Sequence, residues 1–404
     1  MKLKELKNKK ILILGFGREG KSTFNFLKKQ GLAKQITIAD PKKNQDYIKN
    51  IAQYEVIIKS PGIPFKSLPK KIPGRITSQT EIFLENCPGK IIGVTGTKGK
   101  STTASLVYHI LKTAGKKVFL VGNIGKPALM FLTKADAKSI FVYELSSFQL
   151  TNIKKSPQIS ILLNVYPEHL DYYRSFKEYA AAKANITKYQ SKSDYLIYNS
   201  ENQIVKKIAR NSKAKKIPIK GKYYQLDTLA ARRAGEIVKV PEIKINKALK
   251  TFKFLPHRLE YVGRYKEIEF YNDSLSTIPE SAIEALDFLG NNVETLIAGG
   301  FDRGLDFKKL GKRLAKSKIK TLILFPDTGK KIQRAIPKSS NIMRYFLTKN
   351  MAEAVKFAYA NTDKGKICLL SPASPSFGIF KDYADRGDSF KKFVKRYKNA
   401  NIKI

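Results

Sequence analysis

Two glycine-rich stretches, ILILGFGREGKST at 11–23 and GVTGTKGKST at 93–102, carry the residue types that cradle phosphate. In the first, Gly15, Gly17 and Gly20 form the G-x-G-x-x-G of a dinucleotide-binding turn. Gly15, Gly20, Lys21 and Ser22 also satisfy the G-x-x-x-x-G-K-S of a P-loop. Asp40 lies 20 residues beyond Gly20 at the end of the next apolar run, where an acid of the dinucleotide fold binds a ribose hydroxyl. This favours a Rossmann-type turn for a nucleotide diphosphate, with a tight turn that binds nothing as the simpler alternative. The second stretch departs from the strict pattern at Val94 but offers more chemistry. Backbone N–H groups of a glycine-rich turn (Gly96, Thr97, Gly99) at a helix N-terminus attract phosphate oxygens. Lys100 reaches the β- and γ-phosphates, and Ser101 or Thr102 ligates Mg²⁺. The ATP site is therefore expected here.

Further candidates follow downstream. Glu144 ends the apolar run SIFVYE, where an acid after a P-loop serves Mg²⁺ or is simply a surface charge. The chain has three histidines. His109 falls inside the helix after the P-loop and reads as structural, whereas His169 and His257 fall in loops beside charged residues. In SFKEYAAAKANITKY, Ser175 and Glu178 form a capping box. Phe176, Tyr179, Ala180, Lys183 and Ile186 then share one helical face. A lysine on that stripe either snorkels to solvent or is held inward, where burial lowers its pKa and makes it reactive.

These residues require a scaffold, and the pattern supplies an α/β one. Short apolar runs alternate with helical stretches, the βαβ arrangement of a parallel sheet. The pattern restarts near Cys87-Pro88-Gly89 and again after FKFLPHR at 252–258. Three units are expected: 1–87, Rossmann-like; 88–254, of the P-loop ATPase type; and 255–404, also Rossmann-like.

Composition narrows the function classes. No apolar run approaches the roughly 20 residues of a membrane span, and Arg18 and Glu19 follow the N-terminal apolar run where a signal peptide would have small residues. Cys87 and Cys368 make no metal or C-x-x-C spacing, which fits a reduced, cytoplasmic protein. Seventy-seven Lys and Arg against 33 Asp and Glu give a net charge of +44. The lysines are spread along the whole chain with no nucleic-acid motif beside them, so they read as surface composition that also steers anionic substrates.

TGTKGKST, GNIG (122–125), ELSSFQ, HLD (169–171), AAK, LPHR, YNDS and SPASPSF occur in the order and spacing that resemble the Mur ligases, over nearly the whole chain. The resemblance implies three domains and ATP-driven amide-bond formation in peptidoglycan precursor synthesis. Its nearest branch joins D-glutamate to UDP-N-acetylmuramoyl-L-alanine through an acyl phosphate, as a cytoplasmic monomer with two Mg²⁺ ions and without nucleic acid or membrane insertion. It implies Lys100 on the phosphates; Ser101, Glu144, His169 and a carbamylated Lys183 as metal ligands; and Arg258 and Asp273, with His257 beside them, on the nucleotide. Asn123, Ser146 and Gln149 would face the muramoyl substrate, with Gly17, Arg18, Glu19, Asp40 and Gly62 on the uridine side. Thr277, Arg303, Ser376 and Tyr383 would meet the amino acid. The chain departs from the family pattern at Tyr224 and Asp227, where asparagines are usual, at Leu275 for a lysine and at Ile278 for an asparagine. The same scaffold joining L-glutamate or another amino acid is one alternative, and a nucleic-acid-binding P-loop ATPase is another.

Overall fold

The computed structural model describes residues 1–41, 50–69, 71–169, 172–221, 224–253, 255–338, 342 and 344–400. Leu170 and Asp171 of HLD, Lys222 and Tyr223 before the Tyr224 departure, and Phe254 at the expected second boundary lie outside these. The chain divides into two compact units, Met1–Phe252 and Lys253–Ile404.

The first unit holds two parallel sheets. One contains β1 (Lys10–Leu14), β2 (Gln35–Ala39), β3 (Val56–Lys59) and β4 (Arg75–Thr77) in the order β2-β1-β3-β4. Ile11 to Leu14 are all buried, as expected of a parallel strand covered on both faces. The chain leaves β1 toward β2 on one side and toward β3 on the other. The C-terminal ends of β1 and β3 therefore flank the topological switch point at which open α/β sheets bind ligands. Gly15 turns the chain there at φ +90°. The helix Arg18–Gln30 starts at Gly17 and stops at Gly31, whose left-handed φ of 58° closes the cap. The third glycine of the motif serves packing: a Cβ on Gly20 would stand 2.1 Å from the Gly15 carbonyl oxygen.

The second sheet contains β5 (Lys90–Thr95), β6 (Val118–Gly122), β7 (Ile140–Glu144), β8 (Ile159–Leu162), β9 (Tyr195–Asn199) and β10 (Lys215–Ile219), ordered β10-β9-β8-β5-β7-β6 and wholly parallel. Ile92 and Val94 of β5 pack with Ala104, Leu106 and Val107 of the helix Lys100–Thr113, which fixes the intervening turn.

The second unit has one sheet of β11 (Glu260–Tyr265), β12 (Ile268–Asn272), β13 (Val293–Gly299), β14 (Thr321–Phe325), β15 (Arg344–Leu347) and β16 (Ile367–Leu370), ordered β11-β12-β16-β13-β14-β15. Only β11 and β12 pair antiparallel, through a two-residue turn with Lys266 at φ 50° and Glu267 at φ 64°. The expected α/β class is thus observed. Of the strands missing from the sequence reading, β4, β10, β11 and β15 are sheet edges, where one flank is open and the apolar pattern thins. KKIPI of β10 even carries a proline, tolerated at an edge.

Because no atom can yield between Gly20 and the Gly15 carbonyl without moving backbone, Gly20→Ala is expected to cost about 1–3 kcal/mol. Urea unfolding followed by circular dichroism checks this, and an unchanged midpoint would disprove the packing role.

Candidate active site

The turn after β5 is held from both sides. Thr97 N–H donates to Asn164 O (2.8 Å) and Lys98 N–H to Asn164 Oδ1 (2.8 Å). Tyr166 N–H donates to Thr97 Oγ1 (2.9 Å), which also meets Tyr179 Oη at 3.0 Å. Gly99 enters the helix at φ 83°, a conformation that favours glycine. Lys100 folds back over the turn, donating to Gly96 O (3.0 Å) and Thr97 O (2.9 Å). Lys21 of the first glycine-rich stretch is exposed, as a solvated helix lysine would be.

Lys183 is held inward, which resolves the choice the helical stripe left open. It is 2% exposed, donates to Gly96 O at 2.9 Å and lies 4.9 Å over the Tyr179 ring. The helix Phe176–Lys188 that carries it is capped by Ser175 Oγ, which accepts from Glu178 N–H. Glu178 returns its carboxylate to the N–H of Arg174, so the capping box closes one residue early. Burial pushes the Lys183 amine well below the ordinary lysine value; Lys100 adds to this, while Glu168 and Glu144 oppose it.

The carboxylates beside this amine differ in how they are satisfied. Glu144 is fully buried at the end of β7. Its Oε1 accepts from Asn123 Nδ2 at 3.2 Å, and its Oε2 has no hydrogen-bond partner among the described residues. Glu168 accepts from Lys98 (3.1 Å) and lies 3.6 Å from His169 Nε2. Burial works against its charge, but Lys98, Lys100 and His169 together hold it below the usual carboxylate value. His169 takes a left-handed φ of 58° and rests its ring 4.8 Å from Phe148. Among the described residues no group of three or more His, Cys, Asp or Glu stands together as a metal site. The expected ligand set of Ser101, Glu144, His169 and Lys183 contains only two such residues, and Glu144 Oε2 is a buried acceptor in it that has no partner among the described residues. His109, read as structural, bonds Thr251 Oγ1 at 3.1 Å.

The residues expected on the uridine and muramoyl side form one run of contacts. Arg18 donates to Gly122 O (2.9 Å) and Asn123 O (2.8 Å) at the end of β6. Gln149 donates to Glu19 Oε1 at 2.6 Å and accepts from Ser146 N–H at 2.8 Å. Asp40 accepts the N–H of Phe16 at 3.0 Å, beside Gly17. Gly62 lies in the 60–63 turn, whose Ser60 Oγ donates to Gly15 O at 2.8 Å. Lys59, not anticipated from the sequence, is 4% exposed at the end of β3. Burial pushes its amine down to about 8, against the attraction of Glu19.

In the second unit the ends of β12, β13 and β16 gather the remaining candidates. Asp273 is buried and spent internally: it accepts from Ser276 Oγ, from Ser371 Oγ (2.9 Å) and from Leu259 N–H (3.2 Å). Burial pushes its carboxyl up to about 6, against these bonds and the nearby Arg258. Arg258 Nε is buried without a partner among the described residues. His257 Nδ1 meets Asn272 Nδ2 at 3.1 Å, and burial lowers its pKa. Arg303 is exposed and stacks 5.2 Å over Phe377, the residue after Ser376. Thr277 is half-buried, and Tyr383 is exposed with its ring 6.0 Å from His257.

Arg386 went unnoticed in the sequence. It is 1% exposed and donates to Ser274 Oγ (3.0 Å), Ser274 O (2.9 Å) and Ser374 O (3.0 Å), tying the YNDS and SPAS loops together. Its signal was available: Arg386, Phe390 and Val394 recur on one buried helical face, the logic that singled out Lys183.

The chain matches the Mur ligase middle domain over 94–257 and the Mur ligase, glutamate ligase domain over 257–374. It belongs to the Mur ligase family. It is 33% identical to the UDP-N-acetylmuramoylalanine--D-glutamate ligase of Acetivibrio thermocellus, with 97% of each chain covered. To the enzyme of the same name from Streptococcus sanguinis it is 32% identical, over 96% of this chain and 98% of that one. The MurF ligase of Thermotoga maritima, solved in complex with ADP, shares the fold with a TM-score of 0.60 at 16% identity, covering 98% of this chain and 96% of that one.

The Asp273 carboxyl makes a pH prediction. A group raised from 3.8 to about 6 binds more protons folded than unfolded across that interval. Its contribution to stability therefore falls as pH rises from about 4 to about 6 and is constant above. Thermal unfolding at closely spaced pH values should show this slope in the parent protein and lose it in Asp273→Asn. Identical slopes in the two proteins would refute it.

Proposed function

We propose that this protein joins D-glutamate to UDP-N-acetylmuramoyl-L-alanine with ATP as the energy source. The carrying observation is the pairing of a pre-formed phosphate turn (Gly96 to Lys100) with a buried amine and an unsatisfied buried carboxylate at its floor. The names of relatives that align over nearly the whole chain supply the substrates. No described helix is long and apolar enough to cross a membrane.

The three sheets divide the work. Residues 1–87 hold the uridine nucleotide at the β1/β3 switch point, 88–254 hold ATP, and 255–404 bring the amino acid. A carboxylate approaching a triphosphate is a repulsive pair, so cations must screen it. Lys100 and the N–H groups at the start of its helix do so from the protein. Ser101, Glu144, His169 and Lys183 would hold two Mg²⁺ ions, whose charge adds to that screening. The Glu144 Oε2 with no partner fits such a ligand. Lys183 serves as a ligand only after its neutral amine adds CO₂ and loses a proton to become a carbamate; the burial that lowers its pKa supplies the neutral amine. With the alanyl carboxylate phosphorylated, the amine of glutamate attacks the acyl carbon, and phosphate leaves as the amide forms. Arg303, held over Phe377, grips the glutamate side-chain carboxylate, and Ser376, Thr277 and Tyr383 line the same loops.

Phosphate release measured with UDP-N-acetylmuramoyl-L-alanine and a panel of D- and L-amino acids tests the reading. Turnover is expected with D-glutamate alone at low concentration. Faster turnover with L-glutamate would reassign the handedness, a question raised by Leu275 and Ile278 in the loop before Pro279. No turnover with either would overturn the reading.

Lys183→Ala is expected to lose about two orders of magnitude or more in rate, on the scale of disrupted metal-site ligation. Added acetate or formate should restore part of it by supplying the missing carboxylate. Full activity of the variant without additive would remove Lys183 from the metal site.

A further inference from the structure

The turn after β3 is clamped by two side chains that the mechanism above does not use. Lys59 Nζ donates to Ser60 O (3.1 Å) and Ile63 O (2.7 Å). Tyr172 Oη lies 3.0 Å from both Pro61 O and Ile63 O, and its one proton is shared between them. The carbonyls of residues 60, 61 and 63 are thus engaged, while Ser60 N–H bonds Leu14 O and Ile63 N–H bonds Ser60 O. Gly62 is different. Among the described residues its N–H makes no hydrogen bond, and a Cβ built on it meets nothing within 4 Å. The turn at the switch point, exposed at Gly62, therefore keeps the Gly62 N–H unbonded among the described residues, while the carbonyls of residues 60, 61 and 63 are engaged.

We infer that Tyr172, together with Lys59, is a positioning residue for the uridine nucleotide, fixing the 60–63 turn so that the Gly62 N–H meets an acceptor of that ligand. This rests on the substrate reading above. Tyr172 suits the task because it is anchored elsewhere. Its N–H donates to His169 O at 3.1 Å and its ring packs 4.3 Å from Phe148, so the hydroxyl reaches the turn from a fixed base. A loose turn would have to be ordered on binding, and that ordering cost appears as lost affinity.

The test is steady-state kinetics of Tyr172→Phe, Lys59→Met and the double variant with UDP-N-acetylmuramoyl-L-alanine and ATP. Tyr172→Phe keeps the ring against Phe148 and removes only the hydroxyl. Its KM for the uridine substrate is expected to rise about five- to twentyfold, the size of one lost hydrogen bond. Its KM for ATP should stay unchanged, and its unfolding midpoint should fall by no more than the loss of one hydrogen bond, about 0.5–1.5 kcal/mol, explains. Both side chains donate to the Ile63 carbonyl, so the double variant should lose less than the product of the two single effects. An unchanged uridine-substrate KM in Tyr172→Phe overturns the inference, as does a parallel rise in both KM values, which marks general structural damage. A parent protein that neither binds nor turns over the uridine substrate overturns the substrate reading and this inference with it.

Discussion

A lysine ammonium cannot sit in a dry interior beside other ammonium groups, and this protein is built around that conflict. Lys183 is almost wholly buried 2.9 Å from the Gly96 carbonyl, with Lys98 and Lys100 on the same turn. Among the described residues, Glu144 and Glu168 are the carboxylates that favour the charged form of Lys183. The excess is tolerated because Lys183 gives up its proton more readily than an ordinary lysine, and because Lys98 and Lys100 spend their charge on Glu168 and on loop carbonyls. The cost of gathering the cations is met on folding and returned on binding.

The same device recurs in each of the three sheets. A parallel strand ends in backbone carbonyls that the next turn must satisfy, and each sheet places one buried basic side chain there. Lys59 serves the 60–63 turn after β3, Lys183 serves Gly96 after β5, and Arg386 serves Ser274 and Ser374 after β12 and β16. All three are 4% exposed or less, in a chain whose many other basic side chains are spread along its length. Charge-assisted bonds to carbonyls hold a loop more firmly than neutral ones. Removing such a side chain leaves buried acceptors unpaired, which costs more than the bond itself was worth. Active-site loops in this fold must approach substrates closely with bare backbone, so they cannot be stiffened by bulky side chains of their own.

How much of this was legible in the sequence depended on how local each signal was. The α/β class and the two glycine-rich turns follow from patterns within about a dozen residues. The roles of Gly20 and Gly99 follow from the same patterns. Lys183 could be flagged but not placed, because helical periodicity says which residues share a face and not what that face meets. Arg386 carried an equal signal, but one of the two loops it ties, at Ser274, lies 112 positions away and no local pattern points to it. Lys59 carried almost none: a lysine at a strand end is ordinary until the turn beyond it is seen to fold back. The edge strands β4, β10, β11 and β15 carry a thinned apolar pattern because one flank is open, whereas the edge strands β2 and β6 were legible and the interior strand β12 was not.

The departure at Asp227 shows how one substitution can be absorbed without disturbing the phosphate turn. An acid near a helix N-terminus gains from the dipole, yet here it would also oppose a phosphate. Its Oδ1 accepts from Thr103 Oγ1 at 2.9 Å, one turn into the helix, which draws the carboxylate along the helix flank. Gly99 leaves the room for it: a Cβ at that position would lie 2.4 Å from Asp227 Oδ1. Gly99 thus answers two demands, a left-handed φ for the turn and space for the acid. An asparagine there could form the same bond to Thr103 without the charge. Lys100 begins the helix whose flank carries this bond, so a cation stands at the same end as the acid.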